Sequence, residues 1–159
     1  MPPLGTSGGW FENAAPPILT GVPWVSWTGG LRVLGTPLGR SSYVRSQASA
    51  IAEELGHALD VLQCLGCPQS ASLILRSCLG AAKTVHLLRS MTYFEANLLA
   101  HRVELNLKSA WGAVVGAPLS EALWSLACFP VRLGGLGVVN PVRIHPQAAV
   151  SALGCSRLQ

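Results

Sequence analysis

The pattern that most limits this chain is a stripe of apolar residues. Val44, Ala48, Ile51, Leu55, Ala58, Leu59 and Leu62 recur at the 3.6-residue spacing of one helix face. Arg45, Glu53 and Asp60 fall on the other side. So long an amphipathic segment must bury its stripe, which requires a layer of further helices around it. The spacing predicts a helix with an N-cap at Ser41 or Ser42, running to about Leu65 and ended by Gly66.

The segments that follow supply that layer. Pro68 is placed to open a second helix, predicted from about Gln69 to Arg89. Its apolar residues (Leu73, Ile74, Leu75, Cys78, Ala81, Ala82, Val85, Leu88) cover more than half the circumference, which predicts a position in the middle of a bundle. Arg76 and Lys83, seven apart, share its remaining polar strip, with His86 three further on. Thr92-Tyr93-Phe94-Glu95 is a capping-box pattern that starts a third helix, to about Leu107 and on with a kink through Val115. Leu98, Leu99, Arg102, Val103 and Leu105 suit a half-buried surface there. Ser120 caps a short fourth helix to Cys128, which Pro130 stops; Pro141 opens a last one reaching about Leu153.

Before the helices the pattern changes. Residues 1–30 are rich in Gly, Pro, Ser and Thr and read as a loop-rich arm with Trp24 and Trp27 as anchors. Leu31 to Leu34 reads as a short strand ended by Pro37 and Gly39. The expected organisation is therefore an arm over 1–30 and one domain over 31–159. Its fold class is mostly α, a bundle of about four to five helices with a small N-terminal β strand or hairpin.

Composition narrows the function classes. Half of the 159 residues are apolar and 11% are charged, enough for a real core and against wholesale disorder. A net charge of +4 is compatible with nucleic acid. The start, Met1-Pro2-Pro3-Leu4-Gly5, lacks the basic region and apolar run of a signal peptide. Five cysteines, an odd number, do not make a secreted disulfide framework, so a nuclear or cytoplasmic location is expected. Cys64-Leu65-Gly66-Cys67 has no second pair at zinc-finger spacing and is expected to be free thiols buried at a helix end. The window 109–129 carries only Glu121 as a charge, but Gly112, Gly116 and Pro118 divide it into two amphipathic helices, not a membrane span.

Candidate chemistry is sparse. Glu12, Glu53, Glu54, Asp60, Glu95, Glu104 and Glu121 are spread over helix surfaces at spacings that do not converge, whereas two-metal phosphoryl transfer needs paired carboxylates. His57, His86, His101 and His145 are each isolated, and no Gly-x-Ser-x-Gly elbow exists. Gly134-Gly135-Leu136-Gly137 lacks the Lys-Ser/Thr of a phosphate loop, and Asn140 stands where the dinucleotide pattern needs a third glycine. No catalytic residue, metal ligand or cofactor is expected in the chain. The eleven cations are nearly all arginine, the residue suited to bidentate phosphate contacts.

An ordered series of segments carries a resemblance. It runs from Gly21-Val22-Pro23-Trp24 to Gly30-Leu31-Arg32-Val33-Leu34-Gly35-Thr36-Pro37-Leu38-Gly39 with Tyr43-Val44. Pro68-Gln69-Ser70-Ala71, Leu73-Ile74-Leu75-Arg76-Ser77-Cys78 and Lys83-Thr84-Val85-His86-Leu87-Leu88-Arg89 follow, then Phe129-Pro130-Val131-Arg132-Leu133-Gly134-Gly135-Leu136-Gly137. This series, over roughly residues 20–153, resembles the C-terminal part of the reverse transcriptase of non-LTR (LINE-type) retrotransposons. The resemblance implies a primer-grip strand-turn followed by a helical thumb and connection region. It implies an RNA–DNA template-primer duplex as partner, with Arg32 and Arg40 flanking the grip and Arg76, Lys83 and Arg89 as thumb contacts. It also implies a truncated fragment: the family's catalytic aspartates, which hold magnesium, and its palm and fingers would precede residue 1. Such a fragment is expected to self-associate through exposed apolar surface. Two rival readings are a helical protein-interaction module with no nucleic-acid role and a membrane-associated helical protein.

Overall fold

A computed structural model describes residues 29–156. The arm segment with Trp24 and Trp27 lies outside the described residues. The described residues open with an antiparallel hairpin, β1 (Leu31–Val33) and β2 (Thr36–Leu38), paired Leu31 to Leu38, Arg32 to Pro37 and Val33 to Thr36. The expected strand end at Pro37 is thus corrected: the chain turns at Leu34-Gly35 and comes back. Both turn residues have positive φ, 51° and 85°, as a tight turn matched to strand twist requires. Pro37 is tolerated in β2 because it pairs with Arg32, one position out from the hydrogen-bonded Val33–Thr36 pair that closes the two-residue turn; the Arg32–Pro37 pair is a non-hydrogen-bonded one, so the missing N–H removes no ladder bond.

Helix α1 (Ser41–Gln63) follows the predicted stripe. Val44, Ala48, Ala52, Leu55, Leu59 and Leu62 are buried. Its N-cap is Arg40, with extended backbone and no side-chain cap; Ser41 and Ser42 already lie in the helix, one residue earlier than expected.

The predicted second helix does not exist as one element. Helix α2 (Pro68–Ile74) runs into a π-helical turn (Leu75–Leu79), Gly80 breaks the path with ψ −154°, a 3₁₀ turn spans Ala81–Lys83, and α3 (Val85–Ser90) completes the segment. The cause is packing at Gly80: a Cβ there would sit 2.7 Å from the Leu75 carbonyl oxygen, so only glycine lets the chain fold back so closely. Broken in this way, the segment cannot be the bundle's centre, and Leu73 and Ala82 are exposed. Arg76 and Lys83 lose their common face as well.

The central element is instead α4 (Tyr93–Val115), one unbroken helix of 23 residues. It packs against α1, α2, α3 and the last helix, α6 (Pro141–Ser156). Ala96, Leu99, Ala100, Val103 and Leu107 have no exposed surface. Small residues bring α1 and α4 close. A Cβ at Gly56 would lie 3.3 Å from Asn106 Nδ2, and that amide donates to the Ala52 carbonyl at 2.8 Å. At the start of α4 the expected capping box is altered: the Thr92 hydroxyl donates to the Glu95 carboxylate at 2.8 Å rather than accepting from the backbone.

Ser120 caps α5 (Glu121–Ala127) by accepting from the Leu123 N–H at 3.3 Å. A break at Gly116–Ser120 separates α4 from α5, and among the described residues no helix is long and apolar enough to cross a membrane. The loop after α5 holds a 3₁₀ turn (Val131–Leu133) and closes on itself. The protein is mostly helical with one small hairpin, as the sequence pattern predicts.

Candidate nucleic-acid interface

Hairpin, α1 and the broken segment meet around one cleft of about 130 Å³. Arg32 enters it from β1, Glu54 and Leu55 from α1, and Lys83, Thr84 and His86 from the 3₁₀ turn and α3. The break at Gly80 is what makes this possible, because it delivers the Lys83–Leu87 stretch to the hairpin.

Hydrogen bonds tie the elements around the cleft. Thr36 Oγ1 lies 3.2 Å from Ser90 Oγ, and the Ser90 hydroxyl donates to the His86 carbonyl at 2.8 Å. Buried Thr84 donates its hydroxyl to the Ala81 carbonyl at 3.1 Å and receives the Leu87 and Leu88 N–H groups on its own carbonyl. His86 sits below the turn: a Cβ at Gly35 would be 3.7 Å from its Nε2.

The electrostatics are lopsided. Lys83 Nζ is 3.7 Å from Glu54 Oε1, with both side chains well exposed, so this pair is screened and weakly held. The Arg32 side chain has no ion pair or hydrogen bond among the described residues. Two cations with one carboxylate leave the cleft net positive, with His86 as a further polar group. Its volume suits a phosphate-sized group and is below that of a pocket for a whole small molecule.

The other resemblance-implied residues are scattered. Arg40 is exposed at the joint between hairpin and α1. Arg89, on α3, donates to Ser151 Oγ of α6 at 3.4 Å. Arg76 lies against the glycine-rich loop: a Cβ at Gly137 would be 3.7 Å from its Cδ and 3.8 Å from Nη1. That loop is no anion cradle. The N–H groups of Gly134, Gly135, Leu136, Gly137 and Val138 all donate to carbonyls of residues 127–131. The structure therefore brings Arg32 and Lys83 together, and Arg76 does not line their cleft.

Three features escaped the sequence reading. Glu104 is not a solvated surface carboxylate. It accepts from Trp124 Nε1 at 2.8 Å and from the Asn140 amide, joining α4, α5 and the start of α6. Asn140 in turn caps α6, its Oδ1 accepting from the Val142 N–H at 2.8 Å and the Arg143 N–H at 3.3 Å. The Asn-Pro pair ahead of an apolar run is the signal that could have found this cap. Glu95 also departs from the surface reading, being buried.

A larger groove, about 720 Å³ between Leu105 and Leu119, lies elsewhere, and its lining is apolar apart from Lys108 and Ser109. It offers no convergent polar groups. Among the described residues no group of three or more His, Cys, Asp or Glu side chains is placed to hold a metal ion. These residues do not fit a two-magnesium centre. No family model, curated protein or solved structure matches the chain.

Proposed function

We propose that this chain carries the primer-grip and thumb-type region of a non-LTR (LINE-type) reverse transcriptase and holds an RNA–DNA template-primer duplex by its phosphates. The observation that carries the reading is the placement of Arg32 on the hairpin beside Lys83 from the helical segment. The ordered motifs 30–39, 68–89 and 129–137 support the same reading, and the first two contribute the cleft's walls. Among the described residues the sheet has two strands, β1 and β2, and such a pair is marginal alone; in this reading a palm sheet completes it. Catalytic aspartates and their magnesium ions belong to that palm in this reading, and the present residues position nucleic acid. A nuclear or cytoplasmic location goes with it.

A second reading, a protein-interaction module, is favoured by the exposed apolar residues Leu123, Leu126, Phe129, Val131 and Leu133 on α5 and its loop. Salt separates the two. Binding of a labelled RNA–DNA hybrid by fluorescence anisotropy is expected to weaken steeply with salt. Replacing Arg32 and Lys83 by Ala together should lower the slope of log K against log salt by about 2, roughly one per phosphate contact. An unchanged slope in the double variant, or no hybrid binding at low salt, overturns the proposal.

A further inference from the structure

The joint between α1 and α2 holds a thiol pair that the function above does not use. Contrary to the expected burial, Cys64 and Cys67 are both exposed. Cys64 ends α1, its thiol 3.8 Å from the Asp60 carbonyl. Cys67 opens α2 in extended backbone, and Leu65-Gly66 between them turns with a positive φ at Gly66.

The two sulfurs are not equivalent. The Ser70 hydroxyl donates to Cys67 Sγ at 3.3 Å, and Gln69 Oε1 lies 3.6 Å from the same sulfur. Hydrogen bonds from the Ser70 side chain, then from its backbone N–H, stabilise a thiolate and hold the Cys67 thiol below its ordinary value. Cys67 also lines a cavity of about 150 Å³ with Leu62, Gly66, Pro68, Ala71 and Ala113. The exposed Cys67 sulfur at the edge of that space is open to an incoming disulfide, the bulk of which stays in solvent. Elsewhere the contrast is plain: burial pushes the half-buried Cys128 thiol up, with Arg143 opposing, and the exposed Cys78 sulfur lies 3.6 Å from the Ser77 hydroxyl alone among the bonds described.

We propose that Cys64 and Cys67 form a thiol–disulfide exchange site, with Cys67 the attacking thiol and Cys64 the resolving one, for a low-molecular-weight disulfide of the glutathione class. The Cys67 thiolate attacks one sulfur of the disulfide. A Cys67–S–S–glutathione bond forms, the original S–S bond breaks, and one glutathione thiolate leaves. Cys64, deprotonated, then attacks the Cys67 sulfur, and the second glutathione thiolate departs. The two protein thiols have lost two electrons and two protons, and one glutathione disulfide has become two glutathiones. The two-residue spacing suits such closure.

The test uses the full reduced chain and glutathione disulfide, with acid-quenched time points and peptide mass spectrometry. Cys67 is expected to acquire glutathione about tenfold faster than Cys78 near neutral pH, with Cys128 slower still. The wild-type adduct should then give way to a Cys64–Cys67 disulfide, whereas Cys64→Ser should stop at the mixed disulfide. Ser70→Ala, at an exposed position that leaves the fold intact, should slow the Cys67 step several-fold and leave Cys78 unchanged. Equal rates at Cys67 and Cys78, or no internal disulfide in the wild type, overturns the proposal.

Discussion

At the scale of single residues, backbone geometry decides more than side-chain identity. Leu34 occupies the hairpin tip with φ 51° and is 96% exposed, so it incurs left-handed strain and hydrates an apolar side chain with no packing in return. Asn-Gly is the preferred pair for such a turn. Leu34→Asn is therefore expected to raise stability by about 0.5–1 kcal/mol, measured by urea unfolding. An unchanged or lower midpoint would mean that Leu34 packs against something beyond residues 29–156. Gly135 shows the opposite constraint: a Cβ there would lie 2.0 Å from the Phe129 carbonyl oxygen, so this position of the loop after α5 requires glycine.

At the scale of elements, one carboxylate ties three helices. Glu104 on α4 gathers the indole N–H of α5 and the amide that caps α6. Removing it leaves both donors short of a partner in a half-buried place. Glu104→Ala is expected to cost about 2–3 kcal/mol, and Glu104→Gln less, since its amide oxygen can still accept. Denaturant unfolding checks both, and equal small losses would show that water takes over the role. The interior of α4 was legible in part. Its capping box marked the start, but its central place was hidden, because its polar residues (Glu104, Asn106) are spent on neighbouring elements and not on water.

At the scale of the whole molecule, the apolar surface left over is the informative quantity. Leu123, Leu126, Phe129, Val131, Leu133 and Leu136 are all exposed on α5 and the following loop. So much contiguous apolar sequence at the surface favours association. Size exclusion with light scattering is expected to give a mass above the monomer that rises with concentration and persists at high salt. A single monomer peak across that range would remove the prediction.

The sequence by itself determined the helical class, the long first helix and the hairpin's place, because apolar periodicity and turn residues act within a few positions of each other. It also determined which cations exist, including Arg32 and Lys83. Tertiary structure alone decided that these two share a cleft while Arg76 lies against another loop. The reason is Gly80. Its break depends on how tightly the chain can pass the Leu75 carbonyl, a contact in space that helical spacing does not register. The same holds for Cys64 and Cys67: the motif fixed their spacing, but their exposure followed from where α1 and α2 end on the surface of the bundle.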